Sequence, residues 1–240
     1  MSALPESVTF ALWFNAWRRG AVSLDEARDR IIGDDAAHDL LPARCSSADS
    51  TPLILALGRL AAAGPASVAL PVPGDLLGLA GPPAFNIEAT EAGQAVVIDG
   101  GVGLVPVRAG AGVVWRQWPA EGVRQVPDPG EADTLLRQTL TRTAERLADL
   151  DVAQWNPRIA EELTALRSPA RMVLPPDTSE RAERMLTLGS RCALIVALAL
   201  RDDGAAVTAA EVAARRGALD PLGAAARRAL VAATSYAGQR

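Results

Sequence analysis

Residues 94–118 read QAVVIDGGVGLVPVRAGAGVVWRQW, three short apolar runs punctuated by glycine. Val96, Val97 and Ile98 form a β-branched run, and Asp99-Gly100-Gly101 supplies the positive-φ positions that a tight reversal into Val102–Val107 needs. Arg108 to Gly112 is a second reversal, after which Val113, Val114, Trp115 and Trp118 suit a half-buried pleated surface. The stretch predicts a three-stranded antiparallel meander. Pro106 sets a condition on it, because proline has no amide to donate: either the middle strand ends near Val105 or a bulge there faces an edge.

Working outward toward the N-terminus, Ser67 to Val72 places Val68, Leu70 and Val72 on one face and predicts a fourth strand, with Pro71 arguing for an edge. Phe85 to Ala89 is read as a fifth. Phe10, Trp13, Phe14 and Trp17 recur at i, i+3, i+4, i+7, giving an opening helix one aromatic face before Gly20 ends it. That face either docks the helix on the sheet or presents a surface to a subunit or partner. Ser23 and Glu26 form a capping box for a second helix that stops at Gly33.

Asp35, His38 and Asp39 share one face if Asp34 caps a short helix ending before Pro42. Such a face has the donors for a divalent ion, but the sequence identifies no second ligand cluster, so no metal is assigned. Aspartates suit a helix N-terminus, and the single histidine is expected to face solvent. Residues 44–50, with Cys45, read as a polar linker. Thr51-Pro52 is an N-cap and N1 pair for a helix burying Leu53, Leu57, Leu60 and Ala61.

The loop from Pro71 to Pro83, PVPGDLLGLAGPP, follows a strand and carries Asp75 as its only charge. Loops on rigid elements line clefts, so a ligand reading names Asp75, Asn86 and Glu88 as acid, base or binding groups. A purely structural connection uses the same residues.

Beyond the meander, Pro119 to Pro129 interrupts regular structure and marks the boundary between residues 1–124 and 128–240. Asp128-Pro129-Gly130-Glu131 opens a helix with Leu136, Leu140, Ala144 and Leu147 inward. Asn156-Pro157 opens another, with Trp155 at the junction, and Arg171 to Leu174 is either one more strand or an extended connector. Leu186 to Leu200 is apolar nearly all round, the mark of a bundle centre or an interface. Two helices then follow, one capped by Thr208 and ended by Gly217, the other begun by Asp220-Pro221. This pair resembles a helix-turn-helix, with Arg215, Arg216, Arg227 and Arg228 as positive charge. Its proline-bound turn and alanine-rich second helix leave little with which to read bases.

Composition closes whole classes of chemistry. All 24 basic residues are arginine, which removes Schiff-base, pyridoxal phosphate and Walker-A mechanisms. One histidine disfavours triads and zinc sites, and neither GxGxxG, GxSxG nor HExxH occurs. Cys45 and Cys192 lack any CxxC pairing and read as free thiols. A net charge of −4 argues against general nucleic-acid binding. Alanine and arginine richness has the look of a high-GC bacterial coding bias. No apolar run is long enough to cross a membrane, and the first residues lack a leader pattern, so a cytoplasmic setting is expected.

The expectation is therefore α+β: a small, mainly antiparallel sheet flanked by helices in residues 1–124, then a helical half from 128, the two able to share one core. No cofactor is called for. Three functional readings follow. The favoured one is a non-catalytic interaction or regulatory protein that pairs with itself or another protein. A small-molecule binder or enzyme using the Pro71–Pro83 loop is the second, and DNA binding through the C-terminal hairpin is the third.

Overall fold

The computed structural model of the chain describes residues 4–43, 50–149, 172–201 and 209–237. Residues 44–49 and 150–171 lie outside that description, as do 202–208. With them fall most of the linker containing Cys45, the helix from Asn156-Pro157 with Trp155, and the cap at Thr208.

The fold is α+β. In chain order it runs α1 (Glu6–Arg18), α2 (Leu24–Ile32), β1 (His38–Pro42), β2 (Thr51–Pro52), α3 (Leu53–Ala61), β3 (Ala66–Ala69) and α4 (Pro83–Ala92). There follow β4 (Ala95–Ile98), β5 (Val102–Ala109), β6 (Gly112–Pro119), α5 (Pro129–Asp149), α6 (Glu180–Arg201) and α7 (Ala209–Tyr236). Contacts divide the chain into two compact units. One comprises Met1–Val126, Leu174–Ala182 and Thr234–Arg240; the other comprises Pro127–Val173 and Glu183–Ala233.

The first unit is built on a six-stranded sheet in the order β2-β1-β6-β5-β4-β3. Its centre is the meander β4–β5–β6, with Gly100 and Gly101 at φ 95° and 94° in the first reversal. Pro106 stays inside β5, opposite Trp115. No bulge is needed, because β4 pairs with β5 only as far as Leu104 and the missing amide falls beyond that ladder. β3 adds antiparallel to β4 as an edge.

Two elements differ from the sequence expectation. The segment 38–42 is a strand rather than a short helix, and it pairs parallel with β6, His38 opposite Val113 and Leu40 opposite Trp115. Such a pairing between distant segments leaves no local mark. Phe85 to Ala89 is helical rather than a strand: Pro83 sits in the first turn, and Phe85 and Ala89, one turn apart, face the core together. Thr51-Pro52 is shifted by one step, forming β2 while Pro52 precedes α3 without a side-chain cap.

The two faces of the sheet are covered differently. Against one lie α1 side chains, with Phe10 ring-to-ring on Trp115 at 4.8 Å and on Phe14 at 5.6 Å. Phe10, Phe14 and Trp115 are fully buried, and each phenylalanine contributes on the order of 2–3 kcal/mol by that burial. On the other face, Phe85 and Ala89 of α4 meet Ala69, Ala95, Val97 and Val105, with Leu79 and Ala120 closing the cluster. The Phe85 ring lies so close over Gly103 that an added Cβ would meet its Cε2 at 2.5 Å.

In the second unit, α5 starts on Asp128, whose carboxylate accepts from the amides of Gly130 and Glu131. Thr143 donates to the Ala218 carbonyl, tying α5 to α7. A Cβ on Gly189 would meet Leu230 at 3.3 Å, and one on Gly223 would meet Val196 at 3.4 Å. Positions 189 and 196 of α6 thus face 230 and 223 of α7 in reverse order, an antiparallel pair brought close by glycine.

Candidate functional site

A chain of hydrogen bonds joins Glu6, Arg108 and Asp35 to the buried His38 and Trp115 in the first unit. It begins at the N-terminal turn of α1, where the Gln94 side chain accepts from the Ser7 amide at 3.1 Å and donates to Glu6 Oε2 at 2.6 Å. The other Glu6 oxygen takes the Arg108 guanidinium of β5 at 2.7 Å. Arg108 also holds Asp35 Oδ1, on the connection between α2 and β1. Asp35 Oδ2 lies 3.0 Å from His38 Nε2, and Trp115 Nε1 of β6 donates to His38 Nδ1 at 3.3 Å.

The registry of the sheet explains the convergence. Arg108 is opposite Val113 in β6, and Val113 is opposite His38 in β1, so all three side chains leave the same face, the one on which α1 lies. His38 is 2% exposed, against the expectation of a solvent-facing histidine. Its polar neighbours make that burial tolerable, since each ring nitrogen has a partner.

The electrostatics are those of a closed cluster. Burial opposes the charge on Glu6, but the bonds from Gln94, its own backbone and Arg108 outweigh it and hold the carboxyl below its ordinary value. The His38 bond, against some burial cost and with help from Arg108, holds Asp35 below its own. Arg108 is pushed up, chiefly by its bond to Asp35, against a burial cost and with support from Glu6.

The geometry also fixes what the cluster can do chemically. Indole N–H only donates, so Nδ1 of His38 is the acceptor and the ring proton sits on Nε2, facing Asp35. In an acyl-transfer triad the nitrogen away from the carboxylate takes a proton from a nucleophile. Here that nitrogen faces Trp115, which has none to activate. Both oxygens of Glu6 and of Asp35 are engaged as well. The cluster is a fastener joining α1, β1, β5 and β6. Among the described residues, no group of three His, Cys, Asp or Glu side chains is placed to hold a metal ion.

Of the residues named for ligand binding, Asp75 lies in the Pro71–Pro83 loop and Asn86 and Glu88 on α4. Asp75 closes a tight turn in which Val72 and Asp75 exchange backbone bonds, and its carboxylate accepts from the Leu77 amide at 3.2 Å. Gly78 and Gly81 in the same loop accept from the amides of Arg124 and Glu121, so the loop is fastened to the segment after β6. Asn86 and Glu88 are two residues apart on α4 and leave it in nearly opposite directions. Glu88 faces Arg116 at 3.7 Å, whereas Asn86 Oδ1 is buried without a hydrogen-bond partner.

The aromatic face of α1 points inward. Phe10, Trp13 and Phe14 are at most 3% exposed, and Trp17 is half-buried against Phe14 at 5.9 Å. Arg30 of α2 lies over the Trp13 ring, 5.5 Å from its centre. Phe10, Trp13 and Phe14 are core, which uses most of this face within the unit. In the Leu186–Leu200 segment Leu186, Cys192, Leu198 and Ala199 are buried, whereas Leu188, Leu194, Ile195 and Leu200 are half-buried.

The C-terminal pair with its intervening turn does not exist. α7 is one continuous helix through Pro221, with Ala218, Leu219, Leu222, Ala225 and Ala226 buried along it. Packing of these side chains outweighs the hydrogen bond that proline cannot make. Without a turn there is no recognition helix, and Arg215 is buried.

What does stand outward is a face of α3. Leu55, Gly58, Arg59 and Ala62 follow one another at i, i+3, i+4, i+7 and are all exposed, Leu55 at 59%. Space around a Cβ built on Gly58 is empty to 4 Å. A large apolar side chain therefore stands beside a notch on an open helix face.

Residues 7–132 match the family model described as Rv1486c-like protein, N-terminal domain, and residues 130–231 match that described as Rv1486c-like protein, C-terminal domain. Two relatives come from Mycobacterium tuberculosis: uncharacterized protein MT1533 of strain CDC 1551 / Oshkosh and uncharacterized protein Rv1486c of strain ATCC 25618 / H37Rv. Each is 29% identical over 239 residues, covering 80% of this chain and 82% of the relative. No solved structure matches.

Proposed function

This chain belongs to the Rv1486c-like protein family, and on that premise we propose that it is a non-catalytic, cytoplasmic interaction protein that self-associates through the outer face of α3. The observation that carries the reading is Leu55, 59% exposed beside the open notch at Gly58. Apolar area of that kind gains from being covered, and a glycine in a helix lets a second backbone come close. The closed Glu6–Arg108–Asp35–His38 cluster supports the non-catalytic half of the proposal, since its carboxylates and imidazole are already engaged with one another. The free thiol of Cys192 suits a reducing compartment.

The test is sedimentation of the wild type and of Leu55→Asp at two concentrations. The proposal expects a mass that rises with concentration in the wild type and a monomer in the variant, with a melting temperature that rises with concentration only in the wild type, because association stabilises the native state alone. A wild type that stays monomeric at both concentrations overturns it.

A further inference from the structure

We draw no further inference here: the strongest candidate, the exposed Leu55–Gly58–Ala62 face of α3, belongs to the surface already proposed for self-association, and nothing in the structure shows what covers it.

Discussion

Asn15 binds both backbone groups of Ala66 at once. Its amide nitrogen donates to the Ala66 carbonyl at 2.7 Å, and its oxygen accepts from the Ala66 amide at 2.8 Å. Ala66 opens β3, the last strand on its side of the sheet, so a side chain of α1 stands where another strand would pair. An unpaired edge is a template for association, and Asn15 blunts it while holding the helix in place.

Asn15→Leu leaves a backbone donor and acceptor without partners. The expected cost is about 1–3 kcal/mol, read from the urea midpoint at constant slope. The variant should also bind an amyloid-sensitive dye or sediment as larger species where the wild type does not. Unchanged stability would mean that water replaces the amide freely.

Gly103→Ala places a methyl 2.5 Å from the Phe85 ring. Either the ring leaves its cluster or the strand shifts, at about 1–3 kcal/mol. Combining it with Phe85→Leu, which shortens the opposing side chain, should cost less than the two single changes added together. Strict additivity in that cycle would show that the contact does not govern the packing.

The charged cluster predicts a pH dependence of definite sign. Glu6 and Asp35 both titrate below their ordinary range in the folded chain. Their contribution is complete above the ordinary carboxylate range and is lost as pH falls through the depressed folded values, where the unfolded chain holds more protons. Arg108→Met should lower the melting temperature at neutral pH by a few degrees, about 2–4 °C for an arginine so exposed. That difference should vanish in acid. A gap that persists undiminished would assign the loss to packing of the arginine stem.

His38 should carry its proton on Nε2, a state that nitrogen chemical shifts read directly. Trp115→Phe removes the indole donor and orphans Nδ1, at about 1–3 kcal/mol beyond any loss of packing. Asp35 still accepts from Nε2 in that variant, so the tautomer should hold while stability falls. A wild-type ring already protonated at Nδ1 contradicts the Trp115 bond.

Legibility in the sequence followed the range of the interactions. The meander was written in three β-branched runs and a DGG turn, all within 25 consecutive residues, and the Ser23 cap was found because its partner amide, Glu26, is three residues on. PAFNIEATEA misled because Phe85, Ile87 and Ala89 alternate as a strand does, while Phe85, Ala89 and Ala92 also repeat as a helix does. Asp220-Pro221 reads as a helix start by its own chemistry, and only the burial around it continues the helix. Of the cluster, only Asp35 and His38 are sequence neighbours. Their partners Arg108 and Trp115 lie 73 and 77 residues away, brought near by a parallel strand pairing that has no local signature.

The paired notches of α6 and α7 act as a key. Leu230 seats over Gly189 and Val196 over Gly223, the two contacts lying seven residues apart along each helix. Sliding α7 by one turn would set Leu230 against Met185 or Ala193 and Val196 against Leu219 or Arg227, so both seats are lost together. The two helices therefore have one axial setting, and a push along either is passed to the other as through a single rod.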